Sequence, residues 1–373
     1  MKNTTLAPQQ ICQERWICQN GGCDRSYNVL VTHGKPLDVL TLKQNVTKNL
    51  EQYVDAFLQG DEKFVRSFSD QDYELVEGCP VCGEEVKFPI EIFEVNGFSY
   101  QACPHCTHIF IKRRLAQKAL DEFYANNRGY QTVFMDRATL ETRVDQVAKP
   151  KAKYVVEQFV RLYGHPPKRV LDIGAGSGHF VYACRNLGLE ADGLEISDAG
   201  RKFAKDNFAI DMINRDFFSE HDSFNDYDVI TFWGVVEHFA EPRQPLHRAS
   251  EILTRKSSMV VAEVPKWNCL TTDVQKEFST TIIRHLAPSV GHINVFTEQS
   301  LATLFVRSKL DIVGCWNYGM DAYELLFQIG YKRRDDALLF DMHKLIAALQ
   351  CSVDLVGYSD QITMVGVPAR EDY

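Results

Sequence analysis

The spacing of apolar positions along the chain changes near residue 154. From Tyr154 onward, short apolar runs alternate with stretches of helical or loop character. This alternation predicts a parallel sheet with helices on both faces. The strand candidates are RVLDIG (169–174), EADGLEI (190–196), YDVITFW (227–233), MVVAEV (259–264), 311–318 and 361–367, and a helix is expected at 298–308.

Before residue 154 the pattern divides the chain further. Between residues 38 and 68, apolar residues recur at helical spacing, which predicts an amphipathic helix. Two cysteine pairs bracket short strand candidates, and polar helical sequence follows them. The predicted parts are an N-terminal helical region of unclear role (1–75), a small zinc-binding module (76–112), a helical linker (113–153) and an α/β domain (154–373) with a helical insert at about 320–352.

Composition and charge limit the function classes. Hydrophobic residues make up 45% of the chain, no apolar run is long enough for a membrane span, and no secretory signal is visible, so we expect a cytoplasmic protein with no membrane partner. The net charge is −9, and the first 110 residues hold 9 Lys or Arg against 15 Asp or Glu. Nucleic acids are bound by clustered basic residues, so this balance argues against a nucleic-acid partner.

A glycine-rich loop follows the first strand candidate of the α/β domain. The stretch LDIGAGSGHF (171–180) holds Gly174, Gly176 and Gly178, which allow a tight turn and a close approach to a ligand. The spacing is Gly-x-Gly-x-Gly rather than the dinucleotide pattern, and Asp172 precedes it. A carboxylate there repels a pyrophosphate and suits a cationic ligand such as a sulfonium amino acid. Glu195 ends the next strand candidate, where it is placed to accept hydrogen bonds from ribose hydroxyls.

These motifs carry a family resemblance. In LDIGAGSGHF, GLEIS, FWGVVEHFAEP and HINVFTEQSLATLF, residues 154–317 resemble class I S-adenosylmethionine-dependent methyltransferases, most closely the sugar and ubiquinone-biosynthesis types. The resemblance implies a doubly wound, Rossmann-like sheet of seven strands with the last strand antiparallel. It also implies that Asp172 lies near the methionine ammonium, Glu195 on the ribose, Asp216 and Phe217 beside adenine and Trp233 in the methionyl pocket. The expected cofactor-binding residues are Asp172, Gly174, Ala175, Gly176, Gly178, Glu195, Ile196, Asp216, Phe217 and Trp233.

The paired cysteines indicate a metal site. Cys79, Cys82, Cys103 and Cys106 form a C-x2-C-x20-C-x2-C pattern, typical of a tetrahedral Zn²⁺ site. Four thiolates leave no open coordination position, so the zinc is expected to be structural. A redox dithiol pair is the weaker alternative, and His105 and His108 are taken as spare donors. A second metal site at Cys12, Cys18 and Cys23 is conceivable, but their loose spacing favours free thiols.

Candidate catalytic residues follow the fourth strand of the predicted sheet and occur further along the chain. Methyl transfer needs an aligned nucleophile and often a base, for which Glu237 and His238 after that strand are candidates, with His292 and Tyr318 as others. In related enzymes this Glu-His pair lies at the substrate side, or binds a divalent metal when further acids converge. Gly234 stands where the metal-binding relatives carry such an acid, which argues against a metal here.

The predicted function is therefore methyl transfer from S-adenosylmethionine to a small molecule. A nucleotide-linked sugar or a related biosynthetic intermediate is the expected acceptor, and C- and O-methylation both stay open. The alternatives are an RNA methyltransferase that uses the zinc ribbon to bind substrate, and a non-catalytic adaptor with a methyltransferase fold. The insert is a candidate substrate cap or homodimer surface.

Overall fold

The computed structural model describes residues 9–20, 23–35, 37–44, 66–87, 90–95, 98–126, 135, 137–218, 224–277, 292–335 and 337–369. Its strands are β1 (Gln10–Asn20), β2 (Cys23–His33), β3 (Tyr73–Leu75), β4 (Ile90–Val95), β5 (Phe98–Ala102), β6 (Ile109–Ile111), β7 (Arg113–Leu115), β8 (Arg169–Ile173), β9 (Glu190–Leu194), β10 (Val229–Trp233), β11 (Met259–Pro265), β12 (Asn294–Val295), β13 (Leu310–Tyr318) and β14 (Gln361–Pro368).

The helices surround the strands of the second half of the chain. They are α1 (Val39–Leu42), α2 (Gln117–Asn126), α3 (Leu140–Arg143), α4 (Lys149–Tyr163), α5 (His179–Asn186), α6 (Asp198–Phe208), α7 (Arg243–Ile252), α8 (Leu270–Glu277), α9 (Glu298–Arg307), α10 (Asp321–Arg333), α11 (Leu338–Asp341) and α12 (His343–Leu355). Within the described ranges, no helix has the length and apolar character that a bilayer crossing requires.

An α/β sheet with mostly parallel strands forms the larger part of the fold, as predicted. Its order is β1-β2-β13-β14-β11-β10-β8-β9. Strands β8 to β11 are parallel, whereas β14 runs antiparallel to both β11 and β13, which confirms the antiparallel last strand. The predicted count of seven strands is wrong for the described residues, which form eight. The segment after α6 contributes only an isolated bridge between Leu194 and Ile213, and a hairpin from the N-terminus adds two strands at the other edge.

The N-terminal hairpin corrects the predicted helical region at 1–75. Strands β1 and β2 pair antiparallel, and β2 lies parallel to β13, so residues 10–20 and 23–33 belong to the large sheet of the α/β domain. Tyr27, Val29 and Val31 are buried along β2 at every second position, which is the period of a half-buried strand. Only α1 represents the helix expected at 38–68, and residues 45–65 of that prediction lie outside the described residues.

The cysteine module, predicted at 76–112, forms a separate small sheet. This sheet has the order β12-β6-β5-β4, and a two-stranded ribbon of β3 and β7 lies outside it. Strand β12 comes from residues 294–295, far along the chain, and pairs antiparallel with β6. The module is therefore built partly from the segment that leads into α9.

The helical linker and the helical insert are both present in the described residues. The linker contains α2 and α3, and a π turn at Val144–Ala148 joins α3 directly to α4. Pro150 stands at the start of α4, where its missing N–H is tolerated because of the π turn. The insert consists of α10, α11 and α12 between β13 and β14.

Candidate active site

The glycine-rich loop (residues 174–178, called the cofactor loop below) connects β8 to α5. Gly174, Gly176 and Gly178 have φ angles of 66°, 56° and 80°, in the left-handed region that favours glycine. A Cβ on Gly174 would lie 2.8 Å from the Val235 Cγ2, and one on Gly178 would lie 2.9 Å from the Ala204 Cβ. Both positions exclude a side chain for steric as well as conformational reasons. The loop therefore keeps its backbone amides close to the end of the sheet.

Asp172 is the fourth residue of β8 and is 3% exposed. Its Oδ1 accepts a hydrogen bond of 2.7 Å from the Thr231 hydroxyl on the neighbouring strand β10. Burial raises the pKa of Asp172 to about 7, and the Thr231 hydroxyl lowers it only in part. A cation bound beside this carboxyl would favour its ionised form.

Glu195 directly follows β9 and joins two loops. Its Oε2 accepts the backbone N–H of Gly176, and its Oε1 accepts that of Ser197, both at 2.7 Å. Burial raises the pKa of this carboxyl, and these two amides act against that rise. Ile196 is the next residue and is 45% exposed. Glu195 thus orders the cofactor loop in addition to its predicted ribose contact.

The predicted adenine residues occupy different environments. Phe217 is 3% exposed and packs edge-on against Phe232, so its ring belongs to the core. Phe218 is 37% exposed and packs edge-on against Phe239. The Asp216 carboxylate accepts the Phe218 backbone N–H at 2.9 Å. Of these two rings, that of Phe218 is therefore the one available to a ligand. The sequence could not distinguish it from Phe217, because two phenylalanines stand side by side.

Trp233, the last residue of β10, has two neighbours packed near its indole. The Phe180 ring lies 5.2 Å away, and the Lys151 Nζ lies 4.6 Å from the indole centroid. The indole N–H is buried and has no acceptor among the residues that the structure describes. A buried, unpaired donor is costly, which makes this N–H a candidate ligand contact.

Glu237, His238 and His292, the three candidate catalytic residues, come together beyond the carboxyl end of β10. A 3₁₀ turn, Val236–His238, carries the first two residues. One ligand atom from each of the three lies within 4.8 Å of the others, and the two imidazole centroids are 4.9 Å apart. Tyr124, from α2 of the linker, places its hydroxyl 2.5 Å from the His238 Nδ1. We call these four residues the Glu-His cluster.

The Glu-His cluster lies next to the cofactor loop. Val235, which limits the space around Gly174, precedes Glu237 by two residues, and the Glu237 Oε1 would lie 3.5 Å from a Cβ on Gly234. Burial raises the pKa of Glu237 to about 8. Its Oε2 is buried and has no hydrogen-bond partner in the described part of the chain. The site thus contains a carboxyl that stays mostly protonated at neutral pH.

A second buried polar group lies near Trp233. Lys151 on α4 forms an ion pair of 2.7 Å with Glu263 on β11, and the Tyr318 hydroxyl donates to the same carboxylate. Burial by itself raises the pKa of Glu263, but the charges of Lys151 and Lys35 outweigh it and the net pKa is lowered. Burial and the Lys151 charge lower the pKa of Lys35 to about 7. Apart from Tyr318, the sequence offered no signal for this group because each residue comes from a different element.

The four cysteines of the module come together as predicted. The Sγ atoms of Cys79 and Cys106 are 3.5 Å apart, those of Cys82 and Cys103 are 3.6 Å apart, and all four lie within 4.8 Å of one another. A tetrahedral Zn²⁺ with Zn–S bonds of about 2.3 Å requires sulfur atoms about 3.8 Å apart. The residues present therefore fit a closed four-thiolate zinc site.

The two cysteine knuckles have matching turns. The Gly83 N–H donates to the Cys79 carbonyl, and the Thr107 N–H donates to the Cys103 carbonyl, at 2.8 and 3.0 Å. Both donors have positive φ angles, 79° and 61°. Cys12 and Cys18, by contrast, stand six residues apart on β1, about 20 Å in a strand, so the alternative of a site shared by these two thiols is excluded.

His108 holds the module against the Glu-His cluster, which corrects its interpretation as a spare donor. The Asn294 Nδ2 donates to the carbonyls of Phe239 and Glu237 at 2.8 and 3.3 Å, so its Oδ1 faces the His108 Nε2 at 3.0 Å. The amide oxygen only accepts, so Nε2 carries the hydrogen. His108 is fully buried. A continuous hydrogen-bond path thus leads from His108, two residues after Cys106, through Asn294 to the backbone around His238.

Two further side chains, Tyr100 and Arg114, fix the same region. The Tyr100 hydroxyl donates to the His292 carbonyl at 3.0 Å. The buried Arg114 donates to the Ala240 carbonyl at 2.6 Å and forms ion pairs with Glu74 and Glu241. The backbone on both sides of the cluster is therefore anchored to the cysteine module and its ribbon.

Comparison with known proteins agrees with this geometry. The model of a family described as a methyltransferase domain matches residues 146–313. This stretch carries a methyltransferase domain. It includes the cofactor loop, Glu195 and three of the four residues of the Glu-His cluster, whereas the hairpin and the cysteine pairs precede it. No match was found among curated proteins.

Solved structures similar to this chain include two methyltransferases. One is the plantazolicin methyltransferase BpumL in complex with SAH, with 16% identity, a TM-score of 0.42, and coverage of 68% of this chain and 95% of that chain. Another is magnesium protoporphyrin IX methyltransferase (ChlM) from Synechocystis PCC 6803 with bound SAH, with 13% identity, a TM-score of 0.43, and coverage of 68% and 100%. A likeness of this degree says nothing about the acceptor of this chain.

Proposed function

We propose that this protein is an S-adenosylmethionine-dependent methyltransferase that acts on a small molecule. The main support for the proposal is that Val235, two residues before Glu237, packs against Gly174 of the cofactor loop, so the candidate base would lie beside the expected methyl donor. Ligands of open α/β sheets bind beyond the carboxyl ends of the strands, where both features lie.

In the proposed complex, the carboxylates of Asp172 and Glu195 would bind different parts of the cofactor. Asp172, at the end of β8, would hold the methionine ammonium, and Glu195 would accept hydrogen bonds from the ribose hydroxyls. The unpaired indole N–H of Trp233 is a further donor for the methionyl end of the ligand. S-adenosylmethionine supplies an electrophilic methyl group when it is bound there.

His238 is our candidate for the base. When its Nδ1–H donates to the Tyr124 oxygen, Nε2 is the nitrogen that would take a proton from the acceptor. The Glu237 Oε1 lies 3.8 Å from this Nε2. A charge on the protonated imidazole would favour ionisation of Glu237, whose pKa burial raises to about 8. The His292 imidazole lies beside that of His238, with ring centroids 4.9 Å apart.

The acceptor we propose carries a hydroxyl or a carbon next to a ketone, since either gives up a proton to a base as the methyl group is transferred. A nucleotide-linked sugar is the first candidate, supported by the sequence resemblance to sugar methyltransferases. The excess of acidic residues in the first 110 positions favours such a molecule over RNA.

For the cysteine module we propose a structural Zn²⁺ that orders the site indirectly. Cys79, Cys82, Cys103 and Cys106 would hold the ion. With the knuckles fixed by the ion, the hydrogen bonds from His108 to Asn294 and from Asn294 to the Phe239 carbonyl would hold the turn that carries His238 in place. Protein dialysed against a weak chelator should contain one zinc per chain, and a Cys79→Ser/Cys103→Ser variant should contain none. Stable wild-type protein without any metal would refute this part of the proposal.

The activity is tested by screening nucleotide sugars and phenolic acceptors with a methyl-labelled donor. A His238→Ala variant should lower turnover by roughly 10²–10⁴-fold with unchanged cofactor affinity, the range expected for loss of a general base. Tyr124→Phe should retain part of the activity. His247→Ala serves as the matched control, because His247 is a surface residue of α7 paired with Glu251.

Two outcomes would overturn the proposal. If calorimetry detects no binding of S-adenosylmethionine or S-adenosylhomocysteine, the chain is an adaptor that keeps the fold without the activity. If His238→Ala turns over at the wild-type rate on an identified acceptor, His238 is a packing residue and the base lies elsewhere.

A further inference from the structure

A second group of metal-ligating side chains lies on the N-terminal hairpin, apart from the cysteine module. The Cys12 Sγ is 3.6 Å from the Glu14 Oε1 and 3.9 Å from the His33 Nε2, and the three atoms all lie within 4.8 Å of one another. Cys12 and Glu14 alternate along β1 and so project from one face, and His33 on β2 pairs with Gln10, one diagonal step from Cys12. The hairpin register itself therefore brings the three ligands together.

The imidazole of His33 is held in the form that binds a metal. Its Nδ1 lies 2.9 Å from the Asp354 carbonyl oxygen on α12. A carbonyl only accepts, so Nδ1 carries the hydrogen and Nε2 faces Cys12 with a free lone pair. Metal-binding histidines typically have their second nitrogen fixed in this way.

The carboxylate of Glu14 is also oriented by a neighbour. Its Oε2 accepts a hydrogen bond of 2.8 Å from the Trp16 indole N–H, which leaves Oε1 directed at Cys12. In two of the three proposed ligands, the atom that faces away from Cys12 thus has its own hydrogen-bond partner: the His33 Nδ1 pairs with the Asp354 carbonyl and the Glu14 Oε2 with the Trp16 indole. This arrangement distinguishes the group from a chance collection of surface side chains.

We propose that Cys12, Glu14 and His33 bind a divalent metal of the zinc class. For bonds of about 2.3 Å to sulfur and about 2.0 Å to nitrogen or oxygen, tetrahedral geometry separates the sulfur from each lighter ligand by about 3.5 Å. The distances from the Cys12 Sγ, 3.6 Å to the Glu14 Oε1 and 3.9 Å to the His33 Nε2, need only a small side-chain adjustment to reach that value. The mixed thiolate, imidazole and carboxylate set selects a borderline metal such as Zn²⁺ over Mg²⁺ or Ca²⁺.

The proposed site is open, in contrast to the four-cysteine site. Cys12 and Glu14 are exposed and His33 is half-buried, so solvent supplies the fourth ligand. On binding, the Cys12 thiol releases its proton to solvent, and the metal takes the place of the hydrogen bond that joins this thiol to Glu14. The site does not depend on the proposed methyl transfer.

Metal titration of the full-length, untagged protein tests the proposal. After dialysis against a weak chelator that leaves the four-cysteine site loaded, wild type should bind one further Zn²⁺ or Co²⁺ per chain, with a new thiolate-to-cobalt absorption band. Cys12→Ser and His33→Ala should weaken this second binding by more than about 100-fold, because losing a ligand exceeds the roughly 10–100-fold cost of losing an outer-shell partner. Trp16→Phe, which keeps the ring but removes the N–H, should fall within that smaller range.

Cys351→Ser is the control, because Cys351 is a half-buried thiol of α12 outside the group. It should bind the second metal ion as wild type does. The proposal is overturned if wild type takes up no second ion at micromolar Zn²⁺, or if Cys12→Ser retains both the second ion and the cobalt band. Circular dichroism identifies any variant that has lost its fold. Glu14→Gln, at an exposed position, is an independent variant that should also weaken binding of the second ion.

Discussion

Protonation of Asp172 is expected to oppose cofactor binding below neutral pH. Burial raises the pKa of this carboxyl to about 7 in the cofactor-free protein, so below that pH the neutral form predominates. A cationic ligand binds the ionised form, and its binding must therefore release a proton. At a pH of about 6, one unit below the pKa, ionising Asp172 costs about 1.4 kcal/mol. The affinity there should be about tenfold lower than at a pH of about 8, where the carboxyl is already ionised.

Isothermal titration calorimetry with S-adenosylmethionine across this pH range measures the effect. In two buffers of different ionisation enthalpy, the released proton should appear at the low end of the range and vanish at the high end. Thr231→Val preserves the shape of the side chain but removes the hydroxyl that lowers the pKa of Asp172. It should move the midpoint of the affinity profile to higher pH.

Asp172→Asn completes the test. This variant should bind the cofactor more weakly at the high end of the range and show no proton release at any pH, because the amide does not titrate. Wild-type affinity that is the same at both ends of the range would refute the reasoning. So would an Asp172→Asn variant that still releases the proton.

Three further substitutions have expected outcomes. Glu195→Ala should weaken cofactor binding by about 1.5–3 kcal/mol in calorimetry, whereas Glu195→Gln should lose less; unchanged affinity would remove Glu195 from the site. Asn294→Ala should lower turnover while zinc content, measured by mass spectrometry, stays at wild type; loss of zinc would show a purely structural role. Lys151→Met should destabilise the fold by about 3–5 kcal/mol in urea unfolding, since the buried Glu263 charge loses its ion-pair partner, and adding Glu263→Gln should restore part of it.

Local signals made several parts of the structure predictable from the sequence. The cofactor loop, the strand ends at Asp172 and Glu195, and the two cysteine knuckles each depend on residues close together in the chain. For these features the folded chain mainly added distances, burial and hydrogen-bond partners. Glu237, His238 and His292 were each predicted as candidate catalytic residues, but the sequence did not predict that they lie together.

Features that arise from distant pairing could not be predicted in the same way. The strand β2 could not be predicted from local spacing, because its partner β13 lies more than 270 residues later in the chain. The role of His108 could not be predicted because its partner, Asn294 on the neighbouring strand β12, lies 186 residues later in the chain. The Lys151–Glu263 pair likewise joins a helix and a strand that no local pattern connects.

The position of β14 shows that the segment matched as a domain by sequence differs from the unit expected to fold. The stretch that matches a methyltransferase domain ends at residue 313, part-way along β13, yet β14 lies between β11 and β13 in the sheet. If that stretch were produced alone, its sheet would lack the inner strand β14. The edge of β11 would then be left with unpaired amides and carbonyls that favour association with other chains. Evolutionary similarity therefore marks a segment that is not a folding unit. The smallest piece expected to fold runs through β14 to residue 368, with the hairpin covering the outer edge of β13.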